Sequence, residues 1–196
     1  MTTFKRLLRR FTDIIGFSGP RDRRSRRIVV VIECILNQNA RDNGAAVSPA
    51  INRSVVNLCQ KYEVGILQVP CPEIDTLGFN RSRPPGVSLR EAMATDEAHK
   101  HCRKISIGVA DRLQDYSRQG FKILAVVGGN PESPGCAVHM EEKGLSEDSG
   151  TLMRELYDEL EKRNLTVPFR GMCDSNLDLL AEDLRWLERV FSNGCG

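Results

Sequence analysis

Three cysteines have the type and spacing to do chemistry together: Cys34, Cys71 and Cys136. Each stands at or just beyond the end of a short, apolar, β-branched run: residues 28–32 (IVVVI), 64–69 (VGILQV) and 123–127 (ILAVV). If these runs are neighbouring strands of one parallel sheet, their carboxyl ends lie side by side. The thiols then converge on the edge where open α/β sheets bind ligands. Proline or glycine flanks two of them: Pro70 and Pro72 beside Cys71, Pro134 and Gly135 before Cys136. Such residues suit a backbone that must come close to a compact group and hold a thiolate still. Three thiolates can ligate three irons of a [4Fe–4S] cluster and leave the fourth open as a Lewis acid. On spacing alone the alternative stays open that each is a small buried hydrophobe.

Other candidates gather around the same loops. Glu33 and Glu73 are the carboxylates nearest the thiols and the candidates for acid/base work. Glu73 has a structural alternative, an ion pair with Arg81 or Arg83, and Glu33 alternates with the apolar face of its strand. Ser133 is a candidate to hydrogen-bond substrate or a cluster sulfide, or else a turn serine before proline. Asn37 and Asn39 are candidates to read the amide edge of a heterocycle, or to build an Asx-turn, and Arg83 is a third candidate substrate contact. Cys173, beyond a fourth apolar run, either joins the site or packs in the core, while Cys59 and Cys102 read as helix packing. His139 follows Cys136 at ligand spacing but stands alone, and His99 and His101 point apart on a helix. Neither GxxxxGK[ST] nor GxGxxG occurs, which argues against nucleotide hydrolysis and dinucleotide redox chemistry.

The elements that must position these residues alternate strand and helix from residue 28 onward. Ser48-Pro49 predicts a helix start reaching about Lys61, and Ser88-Leu89-Arg90-Glu91 predicts a capping box for one long helix to about Ser117. An irregular stretch follows over 128–150, then a helix bearing Leu152, Leu156 and Leu160, a fourth strand over 165–169, and a last helix. That helix is expected to start at a second box, Ser175 to Asp178, and to bury Leu177, Leu180, Leu184, Leu187 and Phe191. The expected fold is a three-layer α/β domain with a mostly parallel sheet, order 2-1-3-4, and helices on both faces.

The 196 residues fit one domain, 28–196, preceded by a basic arm over 1–27. The arm has nine Lys/Arg against two Asp, a net of +7, leaving −5 for the remainder. Phe4, Leu7, Leu8, Phe11, Ile14 and Ile15 give it helical spacing. It packs on the body or a partner, or else meets an anionic partner, nucleic acid or a membrane surface. Seven cysteines, an odd number, without a secretory signal predict a reducing, cytoplasmic setting in which thiols ligate or react. No apolar run is long enough to span a bilayer.

The segments VVIECILNQNARDNG, QVPCPEIDTLGFNRSRPPG and GGNPESPGCAV resemble, in order, three signature regions of the thiouracil desulfidase family, formerly a domain-of-unknown-function family. The likeness covers about residues 28–138 and is greatest to the branch with an Asn-Gln-Asn stretch after the first cysteine. It implies an α/β protein holding a [4Fe–4S] cluster through Cys34, Cys71 and Cys136. It also implies non-redox removal of sulfur, as sulfide, from a small thiolated metabolite such as a thiopyrimidine. Two departures fall at the expected substrate pocket: Ser133-Pro134-Gly135-Cys136-Ala137 stands where the family has Ser-Pro-Ser-Cys-Gly, and the loop before Arg83-Pro84-Pro85 is one residue longer. The contrasting expectation is a non-catalytic, flavodoxin-like ligand-binding or cluster-sensing module.

Overall fold

The structure, a computed structural model, describes residues 22–193. The amphipathic pattern over 4–15 and Cys195 lie outside the described residues.

Four parallel strands form the central sheet: β1 (Arg27–Ile32), β2 (Gly65–Val69), β3 (Lys122–Val127) and, after a small hairpin of β4 (Met140–Glu141) and β5 (Gly144–Leu145), β6 (Phe169–Arg170). Their order is β2-β1-β3-β6. The expected 2-1-3-4 arrangement is present, with the hairpin taking the intervening numbers. Seven helices accompany them: α1 (Glu33–Leu36), α2 (Arg53–Lys61), α3 (Pro72–Leu77), α4 (Leu89–Met93), α5 (Asp96–Arg118), α6 (Thr151–Lys162) and α7 (Leu177–Asn193). Val29, Val30 and Val31 in β1, and Ala125, Val126 and Val127 in β3, are all fully buried. Successive strand side chains point to opposite faces, so a wholly buried run requires cover on both sides. The helices supply it; α5 packs along α6, and α2 against α7. Among the described residues no helix is long and apolar enough to cross a membrane.

Register places the thiols. Ile32 pairs with Val69, and Val31 with Val127, so β1, β2 and β3 end within a residue of the same level. Cys34 and Cys71 each follow two residues beyond that level, and the loop carrying Cys136 starts from it. Arg27 belongs to β1, and its guanidinium donates to the carbonyls of Tyr62 and Phe191. The basic run therefore ends pinned to the domain.

Four expectations are corrected. The second helix starts not at Ser48-Pro49 but at Arg53, capped by Asn52, whose Oδ1 accepts from the Val55 N–H. Residues 47–52 cannot coil because their backbone is bonded elsewhere: Val47 N–H donates to Gln38 Oε1, the Ala50 carbonyl accepts from Gln38, and Asn52 N–H donates to Ile35. The Ser88–Glu91 capping box exists, but it opens the five-residue α4. The long helix α5 has its own cap in Thr95, whose Oγ1 accepts from Ala98 N–H. The fourth strand shrinks to two residues because Pro168 has no N–H to give the ladder, although its carbonyl accepts from Val126. At α7 the Asn176 side chain, not Ser175, accepts from Asp178 and Leu179 N–H, and Leu177 lies 80% exposed instead of buried.

Candidate functional site

The segment after each of β1, β2 and β3 delivers one thiol to the carboxyl edge of the sheet: Cys34 in α1, Cys71 at the N-cap of α3 and Cys136 in the loop after β3. Cys71 and Cys136 are buried, and Cys34 nearly so. They share an electrostatic environment: Cys71 acts on Cys34, and both act on Cys136. Burial pushes the Cys34 thiol up to about 11, against the pull of Arg41. It likewise raises Cys71, and drives Cys136 well above the ordinary thiol range. A thiol activated for nucleophilic attack needs the opposite shift. These are groups that stay protonated until a cation displaces the proton.

The loops interlock through close backbone approach. At Gly135 a Cβ would lie 2.7 Å from Pro72 Cγ, and at Gly129 one would lie 2.5 Å from Cys136 Sγ. Only glycine allows the second and third cysteine loops to come this near, which gives a physical reason for Gly135 where the family resemblance expects serine. Glu33 ties the first loop to the second: its Oε2 accepts the Cys71 N–H at 2.8 Å.

Around the sulfurs runs a set of polar contacts. Ser133 Oγ lies 3.0 Å from Glu73 Oε1 and 3.2 Å from Cys136 Sγ, and it accepts the Cys136 N–H. A hydroxyl has a single proton. When Ser133 donates it to Glu73, Cys136 is the donor to Ser133. Glu73 Oε2 stands 3.6 Å from Arg81 Nε, an ion pair longer than a hydrogen bond. Arg81 Nη2 reaches Cys71 Sγ at 3.6 Å and the Ala40 carbonyl, and its Nη1 donates to the Phe79 carbonyl. The Arg81 side chain is only 1% exposed, and its backbone sits in the left-handed region at φ 47°. That conformation costs a non-glycine residue about 1–2 kcal/mol and turns the guanidinium inward.

On the other side the charge of Arg41 acts on Cys34, opposing the rise that burial causes. Arg41 Nη2 lies 2.7 Å from Asp174 Oδ1, a buried ion pair. Gln38, also buried, donates from Nε2 to the Cys34 carbonyl at 2.7 Å and to Asp174 at 3.2 Å. A cavity of about 570 Å³ opens beside this group, lined by Gln38, Asn39, Arg41, Phe79 and Asn80 among others.

The sequence candidates divide accordingly. Cys34, Cys71, Cys136, Glu33, Glu73 and Ser133 meet at the sheet edge, and Asn39 lines the cavity. Asn37 is exposed, and its Oδ1 accepts from the N–H and side-chain amide of Asn39, the Asx-type turn held open as its alternative. Arg83 is exposed and donates to the Val87 and Arg81 carbonyls of its own loop, while Arg81 is the residue that turns inward. Cys173 Sγ rests 3.7 Å from Ser175 Oγ. His139 Nε2 contacts the Pro131 carbonyl at 2.8 Å, and His101 faces Glu97 on the surface of α5. Arg41, Arg81, Gln38 and Asp174 were not singled out from the sequence as site residues. For Arg41 and Arg81 the available signal was an arginine in the stretch following Cys34 and Cys71; Gln38 and Asp174 carried none.

Among the described residues no group of three or more His, Cys, Asp or Glu is close enough to hold a single metal ion. A cluster asks for something different, one thiolate per iron at separate corners. The donors facing one another here are sulfurs with cations behind two of them, a set that suits an iron–sulfur group better than a lone hard ion.

The fold and site define a three-layer α/β protein with a thiol-bearing carboxyl edge. Over 144 residues, 74% of this chain and 84% of the relative, the sequence is 30% identical to the Methanocaldococcus jannaschii protein named "Uncharacterized protein MJ0003", and the chain belongs to that protein's family. No family model matches, and no solved structure does.

Proposed function

We propose that this chain is a [4Fe–4S]-dependent desulfidase that releases sulfide from a small thiolated substrate of the thiopyrimidine kind. The observation that carries the reading is the meeting at the sheet edge of three thiols, two buried and one partly so, from the segments after three strands, with two buried guanidiniums beside them. The three-motif resemblance supports the same assignment. Cys34, Cys71 and Cys136 would hold the cluster, which when bound supplies an iron free of protein ligands as a Lewis acid for sulfur.

The remaining work falls to the chain. Glu73 Oε1 is the proton acceptor for the water that replaces sulfur, and Ser133 Oγ orients that carboxylate through their 3.0 Å hydrogen bond. Overall, water adds its oxygen to the carbon, the carbon–sulfur bond breaks, and both water protons end on the departing sulfide. Phe79, 61% exposed at the cavity, offers a flat apolar face, and Asn39 and Asn80 beside it offer amide edges. This pairing fits a planar ring with polar substituents. Free cysteines among the described residues agree with a cytoplasmic setting.

The test is anaerobic reconstitution with iron and sulfide, followed by incubation with a panel of thionucleobases. Iron uptake with visible charge-transfer absorbance is expected, lost in Cys34→Ala, together with sulfide release. Protein that takes up no iron would overturn the proposal. A stable cluster with no sulfide from any thionucleobase would favour a sensing module instead.

A further inference from the structure

Two of the three thiols have a cation beside them: Arg81 Nη2 lies 3.6 Å from Cys71 Sγ, and Arg41, held by Asp174, acts on Cys34. Both are guanidiniums almost wholly out of water, with side chains 7% and 1% exposed. A buried cation is costly unless its surroundings compensate it. Each has one carboxylate, Asp174 for Arg41 and Glu73 for Arg81, yet neither is saturated: the Nε of both is buried without a hydrogen-bond partner. With three neutral thiols the two ion pairs fasten loops to one another, but the buried Nε donors find no acceptor. Against three thiolates the positive charge has a further role.

We infer that Arg41 and Arg81 are positioning residues for the cluster, charge partners that hold the Cys34 and Cys71 thiolates and set the cluster's retention and reduction potential. The inference rests on the cluster reading above. The physical argument has two parts. Loading replaces three neutral thiols by a buried group of net negative charge, whose desolvation two fixed cations offset. Hydrogen bonds and positive charge at thiolate sulfur also draw electron density from the iron, which raises the reduction potential and makes an open iron a stronger Lewis acid. Arginine suits this role better than lysine, because it stays charged when buried and its fork reaches sulfur, carboxylate and carbonyl at once. Arg81 does all three.

The test compares full-length wild type, the charge-balanced double variant Arg41→Gln/Asp174→Asn, Arg81→Gln and the conservative Arg81→Lys, all reconstituted anaerobically. Rate of iron loss to a chelator and midpoint potential are measured beside thermal stability. The double variant and Arg81→Gln should lose iron about tenfold faster or more, the usual scale for outer-shell partners of metal ligands, and shift to more negative potential. Arg81→Lys should fall between them and wild type. A purely structural role would lower thermal stability while leaving the potential of the loaded protein in place, and that result overturns the inference. If Arg81→Gln fails to fold, the double variant and Arg81→Lys decide the matter through the same two readings. Wild type that binds no iron instead removes the cluster reading underneath.

Discussion

At the scale of single residues the thiols declared themselves, and their partners did not. Cys34, Cys71 and Cys136 stand out because each follows the end of an apolar run, and proline or glycine flanks the last two, a local pattern. Arg41 and Asp174 are 133 positions apart and meet only because the segments after β1 and β6 leave the same edge of one sheet. No short window contains that contact. Arg81 was visible as one of two arginines in a loop, yet only the left-handed backbone at residue 81 decides which of them turns inward. The prediction at this scale concerns Glu73, which stands between Ser133 and Arg81. Glu73→Gln keeps the shape of the side chain and removes the proton acceptor. Sulfide release should fall about 10²-fold or more, with iron content retained. Steady-state rates beside iron analysis check this, and an unchanged rate would reassign the base. Ser133→Ala should give a smaller loss in the same assay, since it removes the orienting bond and leaves the carboxylate.

At the scale of elements, strand positions and order were legible because β-branched runs buried on both faces leave little ambiguity. Helix starts were less so. Ser48-Pro49 has the local form of a helix start, but the backbone of residues 47–52 is already bonded to the first cysteine loop, which moves the start to Asn52. The functional loop thus overrides the local signal. Accordingly Asn52→Ala should destabilise the protein by about 0.5–2 kcal/mol, the scale of a lost helix cap, whereas Pro49→Ala should change stability little. Urea midpoints of the two variants check the order, and equal losses would restore the earlier start. A second element-level prediction concerns α6, where Glu159 Oε2 lies 2.6 Å from Arg163 Nη1 and Arg163 also meets Asp111 of α5. Hydrogen bonds from Lys162 and Arg163 hold the Glu159 carboxyl below its ordinary value. A carboxylate with a lowered folded-state pKa stabilises the fold above its unfolded pKa of about 4.3, and that stabilisation disappears as pH falls through the folded value. Glu159→Gln should therefore be less stable than wild type at pH 7, and the gap should close toward pH 3. A gap that stays constant with pH would mean the contribution is packing.

At the scale of the whole molecule, the site is made by the fold and in turn should brace it. Its three sulfurs come from separate crossovers, and Glu33, Glu73 and Asp174 fasten the loops after β1, β2, β3 and β6 to one another. An unfolded chain holds no such arrangement, so a group bound by all three thiols binds the native state alone and stabilises it by mass action. At a hundredfold excess over its dissociation constant the gain is about 2.7 kcal/mol, which for a chain of this length raises the thermal midpoint by roughly 5–10 °C. The loaded protein should show that shift over the same protein after anaerobic chelation. Cys34→Ala, Cys71→Ala and Cys136→Ala should each abolish most of it, because each removes a ligand on a different loop. If one variant kept the full shift on loading, that cysteine would not be a ligand and the trio would be reduced to a pair. Cys173→Ala serves as the comparison: its thiol rests against Ser175, so its loading shift should match wild type even where its stability does not.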